Sequence, residues 1–348
     1  MLGDESGPDD EVTEIILWGS GATGDIKAYI QILNNHLDHN GSLTPGIWLT
    51  LLRIAPLEHD RHIIWNTMKQ QGMLKDIRTL RKSVILTVQE IFEAHLRSGK
   101  DYLSFLQATD EAHRTSDWLT PVAANIMLCS INRSSHHGPT AAFSMLKYMQ
   151  TAYALAPRLD TLNTMIHWPP TVKMPNKTAS HISVDILRHF DENLSIKPRI
   201  EAFDTLFNRF YRRRYYNSVK VLWQAACISG ATTTKMSNAI SSSIIQSNIE
   251  PPAEPKHAYA NTFRFAVGKV AAGICGNDQV PSDISSHGTT TVYHDTRKFR
   301  TFQLRCGLPD LLENAIQMDE RWIEEQVWQD KGLEWMRQNA IPVEIVPP

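Results

Sequence analysis

Four cysteines in 348 residues, none in a Cys-x-x-Cys pair, leave no disulfide framework or zinc knuckle to read from spacing. Cys129, Cys227, Cys275 and Cys306 stand far apart in apolar or helical settings and read as buried thiols. No apolar run approaches the about 18 residues of a membrane span, so no span is expected. No signal peptide or Arg-rich presequence is visible. Before Lys27 there are seven acids (Asp4, Glu5, Asp9, Asp10, Glu11, Glu14, Asp25) and no Lys or Arg. Period-two alternation is nearly missing, which argues against a sheet. Neither a Gly-x-Ser-x-Gly elbow nor a paired-carboxylate motif occurs. The expectation is therefore a non-enzyme with no cofactor and no metal.

What is present is enough apolar material, 42%, for one large core or two ordinary ones. The net charge of −2 hides local excesses. Seven cations between Lys197 and Lys220 face only Glu201 and Asp204, whereas eight acids between Asp310 and Arg337 face Arg321, Lys331 and Arg337. A patch of one sign can attract a phosphate backbone although the total is near neutral.

Apolar residues recur at spacings of three and four in paired segments: 44–55 with 58–71, 77–97 with 101–114, 121–132 with 140–154, 160–168 with 179–193, 201–212 with 215–229, and 237–247 with 257–273. Breakers separate the pairs, notably Ser134 to Pro139, Pro169-Pro170 and Pro251 to Pro255. Repeated helical pairs at a spacing of tens of residues mark an array of hairpins. The domain reading is a disordered acidic start (1–12), a helical repeat array (13–275) with repeats starting near 44, 79, 122, 160, 201 and 236, a polar loop (276–289), and two capping helices within 290–340, drawn as 290–306 and 309–339.

Gly46, Arg81, Asn125, Asn163, Asp204 and Ala239 recur at intervals of 35, 44, 38, 41 and 35 residues. Gly72 and Gly230 each follow one of these positions by 26 residues. On these residues the chain resembles the pentatricopeptide repeat family, with the fit strongest in the first and last repeats. The rival tetratricopeptide pattern finds no consistent set. The resemblance implies an all-α, right-handed α-solenoid whose first helices line a concave surface. There the fifth and last residues of each repeat meet a base, and the second residue flanks it. The pairs are Gly46 with Asp76, Arg81 with Thr120, Asn125 with Arg158, Asn163 with Arg199, and Asp204 with Thr234. An Asn amide both donates and accepts toward a base edge. Arg158 and Arg199 instead suit phosphate. The second position carries Arg78, Asp160 and Glu201, so a general rather than sequence-reading RNA contact is expected. The implied partner is single-stranded organellar RNA, the implied compartment mitochondrial, and the implied role RNA processing, stability or translation. The alternative is a protein–protein adaptor using the same concave face.

Three further features carry two readings each. Arg209, Arg212, Arg213 and Arg214 interleave with Phe210, Tyr211, Tyr215 and Tyr216, either as a phosphate-and-stacking patch or as a helix end packed on the next hairpin. Gly19-Ser-Gly-Ala-Thr-Gly24 after Ile15-Ile-Leu-Trp18 matches a dinucleotide fingerprint, or else is a turn between the helices of a worn first repeat. His59 and His62 have metal-ligand spacing without a visible third ligand, and otherwise belong to an exposed helix face.

Overall fold

The computed structural model describes residues 10–39, 43–113, 115, 117–133, 138–168, 176–236, 238–239, 303–327, 339–343 and 345–346. The chain divides into two compact units, Met1–Ser134 with Ser144–Ala156, and Ser135–Phe143 with Pro157–Pro348. Among the described residues both are helical, apart from a two-residue antiparallel ladder in the second.

The first unit contains α1 (Asp10–Thr23), α2 (Ile26–Asp38), α3 (Pro45–Ile54), α4 (Glu58–Gln70), α5 (Ile77–Arg97), α6 (Tyr102–His113) and α7 (Pro121–Arg133). Oxygen caps set the starts of α2, α3, α5 and α7: Asp25 accepts from Ala28 N, Thr44 from Ile47 N, Asp76 from Thr79 N at 2.8 Å, and Thr120 from Ala123 N. Each cap satisfies an amide that the first turn would leave unpaired. Helices α1, α3 and α5 each pack on the following even helix, and α1, α3, α5 and α7 pack in succession on one another. Leu17, Tyr29 and Ile47 form the core of the first pairs. Asp110 ties a corner, accepting from Trp118 Nε1 and from the Tyr153 hydroxyl, both at 2.7 Å.

α8 (Gly138–Ala152) enters both units by its sequence bounds. The second unit continues with α9 (Leu159–Ile166), α10 (Asn176–Arg188) with a π-helical end at His189–Asn193, α11 (Ile200–Arg212) and α12 (Tyr216–Ser229). Here α9 packs on α10 and α11, and α11 on α12. Helix α11 buries Ala202, Phe203, Leu206, Phe207 and Phe210 along one stripe. Burying each large side chain contributes about 1.5–3 kcal/mol. Gly72 after α4 and Gly230 after α12 both adopt positive φ, 72° and 67°, and end the second helix of a pair.

The last helix, α13 (Leu308–Glu324), lies against α10 and α12. Arg188 of α10 pairs with Asp310 and Glu313. Asp319 is only 2% exposed, and its carboxylate receives Asn217 N (2.9 Å), Asn217 Nδ2 (3.0 Å), Ser218 N (2.9 Å) and the Ser218 hydroxyl (2.7 Å). The start of α12, whose N-cap residue Tyr215 makes no side-chain cap, is thus capped from another helix. Ile341 N donates to Asn217 Oδ1, and Lys220 Nζ to Ile341 O.

Several expectations are corrected. Asp10, Glu11 and Val12 are helical rather than part of a disordered start. Helix α1 runs through Gly19 and Gly21 and turns only at Gly24, because Gly21 lets the backbone lie against Ile54, where a Cβ would collide. Residues 303–306 are not helical: Gln303–Leu304 pairs with Ile345–Val346 as β1 with β2. The closing helix stops at Glu324, not 339, since Gln326 turns at φ 48°. Cys306 is exposed, whereas Cys129 is half-buried and Cys227 buried. Cys275, the pair 237–247 with 257–273 (but for residues 238 and 239), the 276–289 loop, Trp328 and Trp335 lie outside the described residues.

Candidate nucleic-acid interface

In the first unit, α1, α3 and α5 together line a cavity of about 390 Å³. Trp18 of α1 leaves 52% of its surface exposed there. Arg53 of α3 holds its guanidinium carbon 5.2 Å from the Trp18 ring centre, a cation–π contact. Lys82 of α5 supplies a second cation, while Leu49, Ile85 and Leu86 give apolar walls. The carboxylate of Glu14 lies over Gly46, where a Cβ would run into it. Glycine at this place therefore admits the acid to the cavity wall. Two cations against one acid leave the cavity positive.

Arg81, Asn125, Asn163 and Asp204 are each the fifth residue of an odd-numbered helix, counted from Ile77, Pro121, Leu159 and Ile200. Gly46 is the second residue of α3. Arg81 Nε donates to Asp117 O at 2.7 Å and bridges to the turn before α7. Asn125 and Asn163 share a feature: each amide oxygen is enclosed without a hydrogen-bond partner. Asp204 is engaged, accepting from the Thr233 hydroxyl at 2.7 Å with Lys235 Nζ 3.9 Å away.

Arg158 and Arg199 occupy the N-cap positions of α9 and α11 and are exposed, as the corresponding Asp76 is at the start of α5. Asp76 uses its oxygens on its own helix, and hydrogen bonds from Thr79 hold its carboxyl below the usual range. An arginine has no oxygen to cap with, and its charge adds to the positive end of the helix dipole. Asp160 and Glu201 in the first turns offset part of that charge, so each arginine acts as a local anion contact beside an acid.

The Arg/Tyr run behaves differently from a continuous surface patch. Arg214 turns at φ 67°, which folds Tyr215 inward to 4% exposure against Phe210 and toward Glu320. Tyr215 thus offers no free ring face for stacking. Tyr216 is buried as well. Arg213 is half-buried, with Nη1 enclosed and unpartnered, and burial pushes its pKa down. Arg209 lies over Trp168, 3.4 Å from the ring centre, and donates to Ile166 O and the Ser183 hydroxyl. Burial, aided by the Arg213 charge, lowers its pKa to about 9. Arg212 and Arg214 remain exposed.

His59 and His62 line a second cleft, of about 490 Å³, between α4 and α5, with Trp65 and the Arg61–Glu90 ion pair. Among the described residues no three His, Cys, Asp or Glu side chains gather as a metal site. The Gly19–Gly24 motif lies in α1 and its terminal turn, not after a strand. No described helix is long and apolar enough to cross a membrane.

The sequence reading missed Trp18, Arg53 and Lys82. A signal was available: Trp18 and Arg53 are 35 residues apart, the repeat interval itself. No family model and no curated protein matches the chain.

Proposed function

We propose that the chain is a non-catalytic protein that binds single-stranded RNA, built as a right-handed solenoid of helical hairpins of pentatricopeptide type. The observation that carries this reading is the equivalence of Arg81, Asn125, Asn163 and Asp204 as fifth residues of α5, α7, α9 and α11. In the first unit α1, α3, α5 and α7 also pack on one another in succession, and in the second α9 packs on α11, an arrangement that stacked hairpins require. The exposed cations Arg53, Arg81, Lys82, Arg158 and Arg199 lie on these helices or at their N-caps. Phosphate contacts by such residues hold a strand in place without reading its sequence. The family resemblance extends the proposal to mitochondrial transcripts. Crosslinking the purified chain to cellular RNA and sequencing the attached fragments tests it; recovery no greater than with an unrelated helical protein would refute it.

One observation favours the adaptor reading. Val12, Ile15, Ile16 and Trp18 of α1 and Ile30 and Leu37 of α2 are all more than 40% exposed, and clustered exposed apolar residues mark interaction surfaces. An interface of that kind would be insensitive to salt.

A further inference from the structure

We propose that the cavity between α1, α3 and α5 takes one unpaired nucleobase of an RNA strand, with the adjoining phosphates held by Arg53 and Lys82. The proposal rests on the RNA-binding reading and adds a subsite to it. Trp18 provides the stacking surface: an indole 52% exposed beside the apolar walls Leu49, Ile85 and Leu86. Base stacking on an aromatic ring is sequence-tolerant because every base has a π face. The volume of about 390 Å³ falls in the range of small-ligand clefts.

The polar groups give the base an orientation. Arg53 lies over one face of the Trp18 ring; a base that stacks on that face displaces it, and its N–H groups then meet the adjoining phosphate. Lys82 comes from the other flank, on α5, as a point charge. Neither cation is taken up in an ion pair among the described residues. Glu14, admitted to the wall by Gly46, can only accept hydrogen bonds when ionised and repels phosphate. It therefore faces the base edge rather than the backbone and favours bases with an exocyclic amine. Guanine, adenine and cytosine, which each carry one, are preferred over uracil.

Fluorescence anisotropy with short labelled oligonucleotides of A, C and U tests this on the full chain at low salt. Trp18→Leu is expected to weaken A and C binding by about tenfold. Lys82→Gln should weaken all three several-fold, and Glu14→Gln should erase the preference over U. Trp65→Leu, in the other cleft, should bind as the unaltered chain does. Both Trp18 and Lys82 are exposed, so circular dichroism and melting should stay unchanged, and should Trp18→Leu misfold, Lys82→Gln still decides. If Trp18→Leu and Lys82→Gln bind like the unaltered chain, which itself binds RNA, the subsite is overturned and RNA binding stands. Equal loss in Trp65→Leu also overturns the subsite. If the unaltered chain binds no oligonucleotide, both proposals fall.

Discussion

Replacing Asp319 should cost more than replacing any exposed acid, with a pH dependence opposite in sign to that of a salt-bridged carboxylate. Its two oxygens receive four donors, two of them backbone amides in the first turn of α12. Asp319→Ala strands those two amides in a buried site at about 1–3 kcal/mol each. Relief of a desolvated carboxylate offsets part of this, leaving a net loss of about 3 kcal/mol. Burial outweighs the four donors and raises the Asp319 pKa from 3.8 to about 7. The folded chain therefore holds this proton more tightly than the unfolded one. The associated stability is present below about pH 4 and is lost as pH rises through about 7, a change of about 4 kcal/mol. Urea unfolding across that window, read as the difference between the unaltered chain and Asp319→Asn, isolates this group. The difference should shrink as pH rises. If it grows instead, the donors outweigh burial and the reasoning fails. An Asp319→Ala loss below about 0.5 kcal/mol would refute the capping role.

Gly230→Ala should destabilise by about 1 kcal/mol, since the residue sits at φ 67°; thermal melting measures it. Asn163→Leu should leave stability unchanged or slightly higher, because its enclosed oxygen has no partner, while weakening RNA binding in a filter assay. Under native conditions maleimide should label Cys306 and spare Cys227, as their exposures dictate, with peptide mass mapping as the readout.

The helix pairs from Pro45 to Ser229 are legible because two local signals agree there. The three-four spacing marks the buried stripe, as in Phe203, Leu206, Phe207 and Phe210, and an oxygen cap or a glycine marks several ends. Placement fails where a distant contact overrides local preference. Ile15-Ile-Leu-Trp18 looks like a short strand, yet Leu17 packs on Tyr29 and Ile47, and the helix continues through two glycines. The capping of α12 by Asp319, about a hundred residues on, has no local signature. Tyr215 looks like a stacking residue beside three arginines, but the left-handed turn at Arg214 is invisible in composition. The fifth-residue positions could be read from spacing, whereas the convergence of Trp18, Arg53 and Lys82 depends on three helices packing side by side.

The arginines at two helix N-caps are unfavourable for the isolated helices and useful to a protein that holds phosphate. Their contribution separates RNA binding from an apolar adaptor surface. The salt dependence of affinity for single-stranded RNA therefore tests the central claim most directly. Each phosphate contact made by an exposed cation (Arg53, Arg81, Lys82, Arg158, Arg199) should steepen the fall of log affinity against log salt by about 0.7. Arg158→Gln with Arg199→Gln should flatten it by about 1.4. No binding at low salt, or a slope near zero, would contradict the account.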